Sequence, residues 1–269
     1  MVNLVIVGAS LVCAVCAATS AILYEFGSTH LKIAQKLDAH AISWSPTSLL
    51  DQSGSPGTSP LFGIMWTTLW LFCGVIFPVY ALLLGVVDSF QFPEEDDVLN
   101  SASFLGAGLF FSGMWGYLFT LQTPTSPWSA AAVSTLGAAL MITSVAIYRP
   151  FARGVWHVSL FMGVPYEFAT GWACTMAALT ISTAVHVSDH GGAAAPNNTD
   201  DPTRRQSLVP LAVAASLACL AFSLSAPVLP IPFAFCMLHV SGRACNVLSV
   251  IVSLIGCALG AVAVALDLY

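Results

Sequence analysis

Charge is what this sequence has least of. Thirteen acidic and seven basic residues make up 7% of 269 positions, against roughly a quarter in soluble domains. So few charges cannot cover the surface of a water-soluble protein of this length. A hydrophobic fraction of 57% points instead to an integral membrane protein. Basic clusters are lacking too, and the net charge is −6, which excludes a protein that tracks nucleic-acid phosphates. Catalytic signatures are missing: there is no H-E-x-x-H, no phosphate-binding loop and no G-x-S-x-G in a strand–turn–helix setting. A non-enzyme is expected. The amino-terminal tract "MVNLVIVGASLVCAVCAATSAILYEF" has no basic n-region and is too long for a signal-peptide core, so it reads as a retained span.

Apolar tracts fill most of the chain. With about 20 residues needed to cross the hydrocarbon, candidate spans are 2–23, 61–87, 102–121, 129–148, 160–185, 208–225 and 246–266. The fold expected is all-α, a polytopic bundle of about seven transmembrane helices in one membrane domain over 1–269. Between the last two spans lies "APVLPIPFAFCMLHVSGRAC", where Pro227, Pro230 and Pro232 break any continuous helix. It reads as a short eighth crossing or a re-entrant piece. Polar residues concentrate in loops at 25–60, at the acidic 93–97 turn and at 190–206. If all seven spans hold, Lys32, Lys36, Arg204 and Arg205 lie on one side and Arg149, Arg153 and Arg243 on the other. That difference of about one residue gives no orientation. Asn197-Asn198-Thr199 is a formal sequon in a polar loop, where a chance match is the plainer reading.

Few residues in the spans carry chemistry. The eight cysteines sit in apolar tracts as small hydrophobes, Cys13 and Cys16 included, whose C-x-x-C lacks the basic setting a redox pair needs. His186 and His190, flanking Asp189, have no third ligand in reach and are not expected to hold a metal. His239 and Arg243 share a helical face; a backbone contact is preferred there over a haem or pigment ligand. Glu167 is the one clear acid within a firm span. It lies within about two turns of that helix's start, where a carboxylate reaches the rim or pairs with Arg149 or Arg153. That reading is preferred to a proton relay, and Glu167→Gln is expected to leave assembly intact. Trp70, Trp115 and Trp172 fall deeper than the usual interfacial belts and read as helix-packing or cavity-lining residues.

Three motifs in order then resemble a known family. Residues 59–80, "SPLFGIMWTTLWLFCGVIFPVY", resemble the second-helix signature of TspO/translocator (tryptophan-rich sensory) proteins, through Pro60, Phe62, Gly63, Trp66, Trp70 and Gly74. "FFSGMWGYLF" is similar to the third-helix motif, with Trp115 in place and Ser112 where an Asn is usual. "VPYEFATGWACTMAALT" is similar to the fifth-helix motif through Pro165, Tyr166, Gly171 and Trp172, with Thr180 replacing an Asn. The resemblance implies a five-helix core over 1–186, a flexible loop at 187–206 and an added transmembrane hairpin at 207–269, with about two extra helices. It also implies an interior that takes an apolar or tetrapyrrole-sized ligand. The residues implied to contact ligand or lipid are Trp66, Trp70, Ser112, Trp115, Tyr166, Glu167, Trp172 and Thr180. Ser and Thr at the Asn positions remove an interhelical amide, and their hydroxyls can bond back to their own helix.

The first functional expectation is a non-catalytic accessory subunit of a larger, energy-transducing membrane complex, with membrane lipids and other membrane subunits as partners. Small residues along the spans, as in "AAAVSTLGAAL", support it by letting helices approach closely. The alternative is an autonomous binder or carrier of porphyrin, sterol or lipid. A third reading is a pigment-bearing subunit using His239 or His157. No cofactor is required, and a bound lipid or tetrapyrrole is the ligand to look for. The membrane expected is an organellar inner one, mitochondrial first and plastid second.

Overall fold

Long runs of Ala, Leu, Gly, Ser and Phe with prolines only at their edges should form helices that meet along small residues. The computed structural model describes residues 95–120, 126–152, 155, 158–189, 204–239 and 244–267, with Val15, Val75 and Val79 as single positions. Every regular element among the described residues is helical, with no strand among them. The helices are α1 (Glu95–Thr120), α2 (Ser126–Ala152), α3 (Val164–Asp189), α4 (Arg204–Ser223), α5 (Ile231–His239) and α6 (Ala244–Asp267). A π-helical turn, Ser159–Gly163, leads into α3. These cover the five later tracts expected as spans, while 2–23 and 61–87, apart from Val15, Val75 and Val79, lie outside the described residues. Two helical stretches, Trp128–Pro150 and Val247–Leu266, are long and apolar enough to cross a membrane. Leu211–Ser223 is apolar but shorter.

Proline sets several boundaries. Pro127 sits in the first turn of α2, where a missing N–H leaves nothing unpaired. Pro165 has no N–H to offer the preceding turn. There the helix widens to a π-turn, in which the Val164 N–H reaches Ser159 O. The tract 207–269, expected as a two-helix hairpin, holds three helices because Pro227, Pro230 and Pro232 interrupt it.

Helix α3 is the centre of the bundle. Residues 165–178 are all buried, and α3 packs against α1, α2, α4 and α5. Small residues make the seams. Ser144 Oγ donates to Ser101 O at 2.6 Å, and Ser101 Oγ donates to Ser144 O at 3.1 Å, tying α1 to α2. About two turns further along, a Cβ at Gly137 would lie 2.7 Å from Ser112 Oγ and 3.0 Å from Gly108 O. Thr170 Oγ1 donates to Met141 O at 3.2 Å across α2 and α3.

The α4–α6 seam follows the same rule. On α6, Ser249, Ser253, Gly256, Gly260 and Ala263 face inward, and Gly256 and Gly260 form a G-x-x-x-G. A Cβ at Gly256 would lie 2.7 Å from Ala218 Cα, and one at Gly260 would lie 2.9 Å from Pro227 Cα and 3.1 Å from Ala221 O. The opposite face, with Val247, Ile251, Leu254, Ile255, Val262 and Leu266, is exposed. Gly256→Leu should therefore cost at least about 2 kcal/mol through overpacking, whereas Leu254→Ala should cost less than about 0.5 kcal/mol. Denaturant unfolding in micelles, followed by circular dichroism, measures both; equal losses would contradict this assignment of faces.

Candidate functional site

A helix that stops inside a bundle leaves carbonyls at its end without partners, and the next helix begins with unpaired N–H groups. Helix α4 stops at Ser223, and α5 begins eight residues later. The α4 end closes in a Schellman arrangement: Ala226 N–H donates to Ala221 O (2.8 Å) and Ser225 N–H to Phe222 O (3.2 Å). Ser225 takes the left-handed position, at φ 50°, that glycine usually fills. Downstream, Ile231 N–H donates to Val228 O and Ala234 N–H to Pro230 O, both at 3.0 Å, starting α5.

Side chains from α2 and α3 supply what remains. Arg149 Nε donates to Leu224 O at 2.9 Å, at the carbonyl end of α4. The Val228 N–H donates to Glu167 Oε2 at 2.9 Å, near the amino end of α5. The other carboxylate oxygen, Oε1, accepts the Tyr148 hydroxyl at 2.6 Å and lies 3.8 Å from Arg149 Nη1. Each charge thus meets the helix end whose dipole it complements: guanidinium at a C-terminus, carboxylate before an N-terminus. Glu167 is only 3% exposed and Arg149 7%.

Glycines make room for this arrangement. A Cβ at Gly163 would meet the Tyr148 hydroxyl at 2.8 Å, so only glycine lets that hydroxyl stand over the π-turn. A Cβ at Gly171 would collide with Leu229 O and lie 3.0 Å from Pro232 Cδ. The glycine of the Gly-Trp pair is therefore where the backbone of the 224–230 turn crosses α3. Tyr166 packs edge-on against Tyr148, with ring centroids 5.2 Å apart.

Of the residues singled out from the sequence, Tyr166, Glu167 and Trp172 are buried on α3 at or near this node. Ser112 is buried elsewhere, on the α1–α2 seam, with its hydroxyl directed at Met141 Sδ (3.9 Å). Thr180 turns back on its own helix, donating to Met176 O (2.9 Å) and Ala177 O (3.0 Å). Trp66 and Trp70 lie outside the described residues, as does the side chain of Trp115. Glu167 does pair with Arg149, but in the interior rather than at an exposed rim. Arg149 belongs to α2 itself, and Arg153 lies outside the described residues. Sequence reasoning missed Tyr148 and the 224–230 turn as partners. The signals were present in the Tyr-Arg-Pro end of α2 and in the three prolines that guarantee unpaired backbone nearby.

Chemically the node is closed. Both oxygens of Glu167 and the Nε of Arg149 are engaged by the protein's own groups. Among the described residues, no three His, Cys, Asp or Glu side chains gather as metal ligands would. Compared with protein-family models, with curated proteins and with solved structures, the chain matches none.

Removing Glu167 would strand Arg149 in the interior. Glu167→Ala should cost about 3 kcal/mol, the scale for breaking a buried pair. Glu167→Gln should cost less, because an amide oxygen still accepts one hydrogen bond. That smaller cost is compatible with the expectation that Glu167→Gln leaves assembly intact. Tyr148→Phe should cost about 1.5 kcal/mol for a bond to a charged acceptor. A double-mutant cycle on Glu167 and Arg149, read by unfolding in micelles, should give a coupling above about 1 kcal/mol; additive losses would show that the two charges act independently.

Proposed function

We propose that this chain is a non-catalytic integral membrane protein that serves as an accessory, lipid-contacting subunit of a larger energy-transducing assembly in an organellar inner membrane. The observation that carries this reading is the closed state of the interior charges. Glu167 and Arg149 are spent on the protein's own helix ends and present no free acid, base or ligand-binding group. Outward faces of α6 and α2 support it further. That of α6 is built of large aliphatic side chains suited to acyl chains. That of α2 exposes Ala132, Thr135, Ala139, Thr143 and Ala146 together with Leu136. Its threonines turn their hydroxyls back to Ala131 O (2.7 Å) and Ala139 O (3.0 Å). Small residues of that kind let a neighbouring helix backbone approach closely.

The test is migration on native gels. After mild solubilisation the chain should run only within a large assembly, and it should separate as a single small species after harsh detergent. Migration as a small species under both conditions would contradict a subunit role. A Soret shift on titration with protoporphyrin, abolished by Trp172→Ala, would assign the chain instead to the tetrapyrrole-binding alternative.

A further inference from the structure

The direction of each helix can be read from the pairs of residues that meet. Helices α1 and α2 run in opposite senses, since Ser101 meets Ser144 while Ser112 meets Gly137. So do α2 and α3, since Tyr148 meets Glu167 while Met141 meets Thr170. At the node, the C-terminal end of α4 reaches Arg149 and the start of α3, so α4 runs against α3. The last three helices then hold the key. Along α6, Gly256 meets Ala218 and Gly260 meets Ala221, so α4 and α6 advance together. The turn that leads into α5 runs the other way, because Pro227 meets Gly260 and Pro230 meets Gly256. A re-entrant piece that turned back to its own side would leave α4 and α6 antiparallel.

We infer that the segment 226–239 crosses the membrane as a short return helix, placing the chain's end on the opposite side from the 190–203 loop, with that loop facing the compartment from which the chain is inserted. This rests on the membrane reading given above. Helix α5 alone spans about 14 Å, and the proline turn before it carries the crossing further toward the roughly 30 Å of hydrocarbon. The turn is tolerable at depth because Glu167 and Arg149 satisfy its backbone.

The crossing also settles the charge balance that the sequence alone left even. Arg243 moves to the end of the bundle that holds Arg204 and Arg205. Lys32 and Lys36 join them if 2–23 and 61–87 cross as expected. Five of the seven basic residues then share one side. The other side has Arg153 and Arg149, the latter already buried and paired. That is a decisive asymmetry under the positive-inside rule. It places the Asn197 sequon on the insertion side, where it stays unmodified on a secretory route.

Epitope tags inserted into the 190–203 loop and fused after Tyr269, in the full chain, test this by protease access in sealed vesicles of known orientation. Opposite accessibility, with the loop tag on the insertion side, is the expected result. Tags on the same side would overturn the return crossing, and opposite tags with the loop on the far side would overturn the orientation. Alkaline carbonate extraction of the same vesicles separates these outcomes from failure of the membrane reading, which alone would release the chain into the supernatant.

Discussion

Backbone polar groups at a helix break, surrounded by apolar helices, must be satisfied by the protein because lipid offers no partner. How that is done decides how the two parts of this bundle hold together. The α4–α5 break presents a carbonyl end and an amide end within a few residues of each other. Arg149 takes the first, Glu167 takes the second, and the two charges balance each other at 3.8 Å. A lone buried charge would be costly on either side. Arranged between two helix termini, the pair is stabilised by both dipoles and by the Tyr148 hydroxyl. Sequence-distant segments are thereby joined: Arg149 and Glu167 lie on the central helices, and the turn belongs to the carboxyl-terminal three.

Around that node the packing is achieved by smallness. Apolar side chains gain little by exchanging lipid for one another, so association in a membrane relies on close backbone approach and interhelical hydrogen bonds. The Ser101–Ser144 exchange, the Gly108–Gly137 contact and the Gly256–Gly260 seam each supply one or both. Large side chains serve two further ends. They fill the centre, where Trp172, Tyr166, Phe233 and Met141 are buried, and they coat the outward face of α6. The G-x-x-x-G motif is occupied within the chain, against α4, and so is not available for pairing with another copy.

Much of the helical layout was legible because the apolar tracts are long and bounded by proline, glycine and polar loops. The carboxyl-terminal region was less so. A nine-residue helix falls below the length that a span-finding rule can recognise, and its direction depends on contacts with α6 that no local pattern encodes. The site was half legible. Glu167 stood out because a charge in an apolar tract needs a partner, and Arg149 was among the partners named. Its covering was not foreseen, since the node lies buried beneath the 224–230 turn. Gly171 and Trp172 were recognised through a family-like motif. The physical reason for the glycine, the passage of Leu229 O over α3, required coordinates. Ser112 and Thr180 were grouped with the aromatics by motif, yet their hydroxyls serve the α1–α2 seam and the α3 backbone respectively.

The most direct test of the central claim is hydrogen exchange at the Val228 amide in lipid, comparing the wild-type chain with Glu167→Ala. If Glu167 holds the break together, this amide exchanges slowly in the wild type. It should then speed up by at least about tenfold in the variant, the factor that about 1.4 kcal/mol supports. Amides in the middle of α2 should be unchanged. Equal protection of Val228 in both proteins would show that the turn is held by packing alone and that the carboxylate is not the link between the two parts of the bundle.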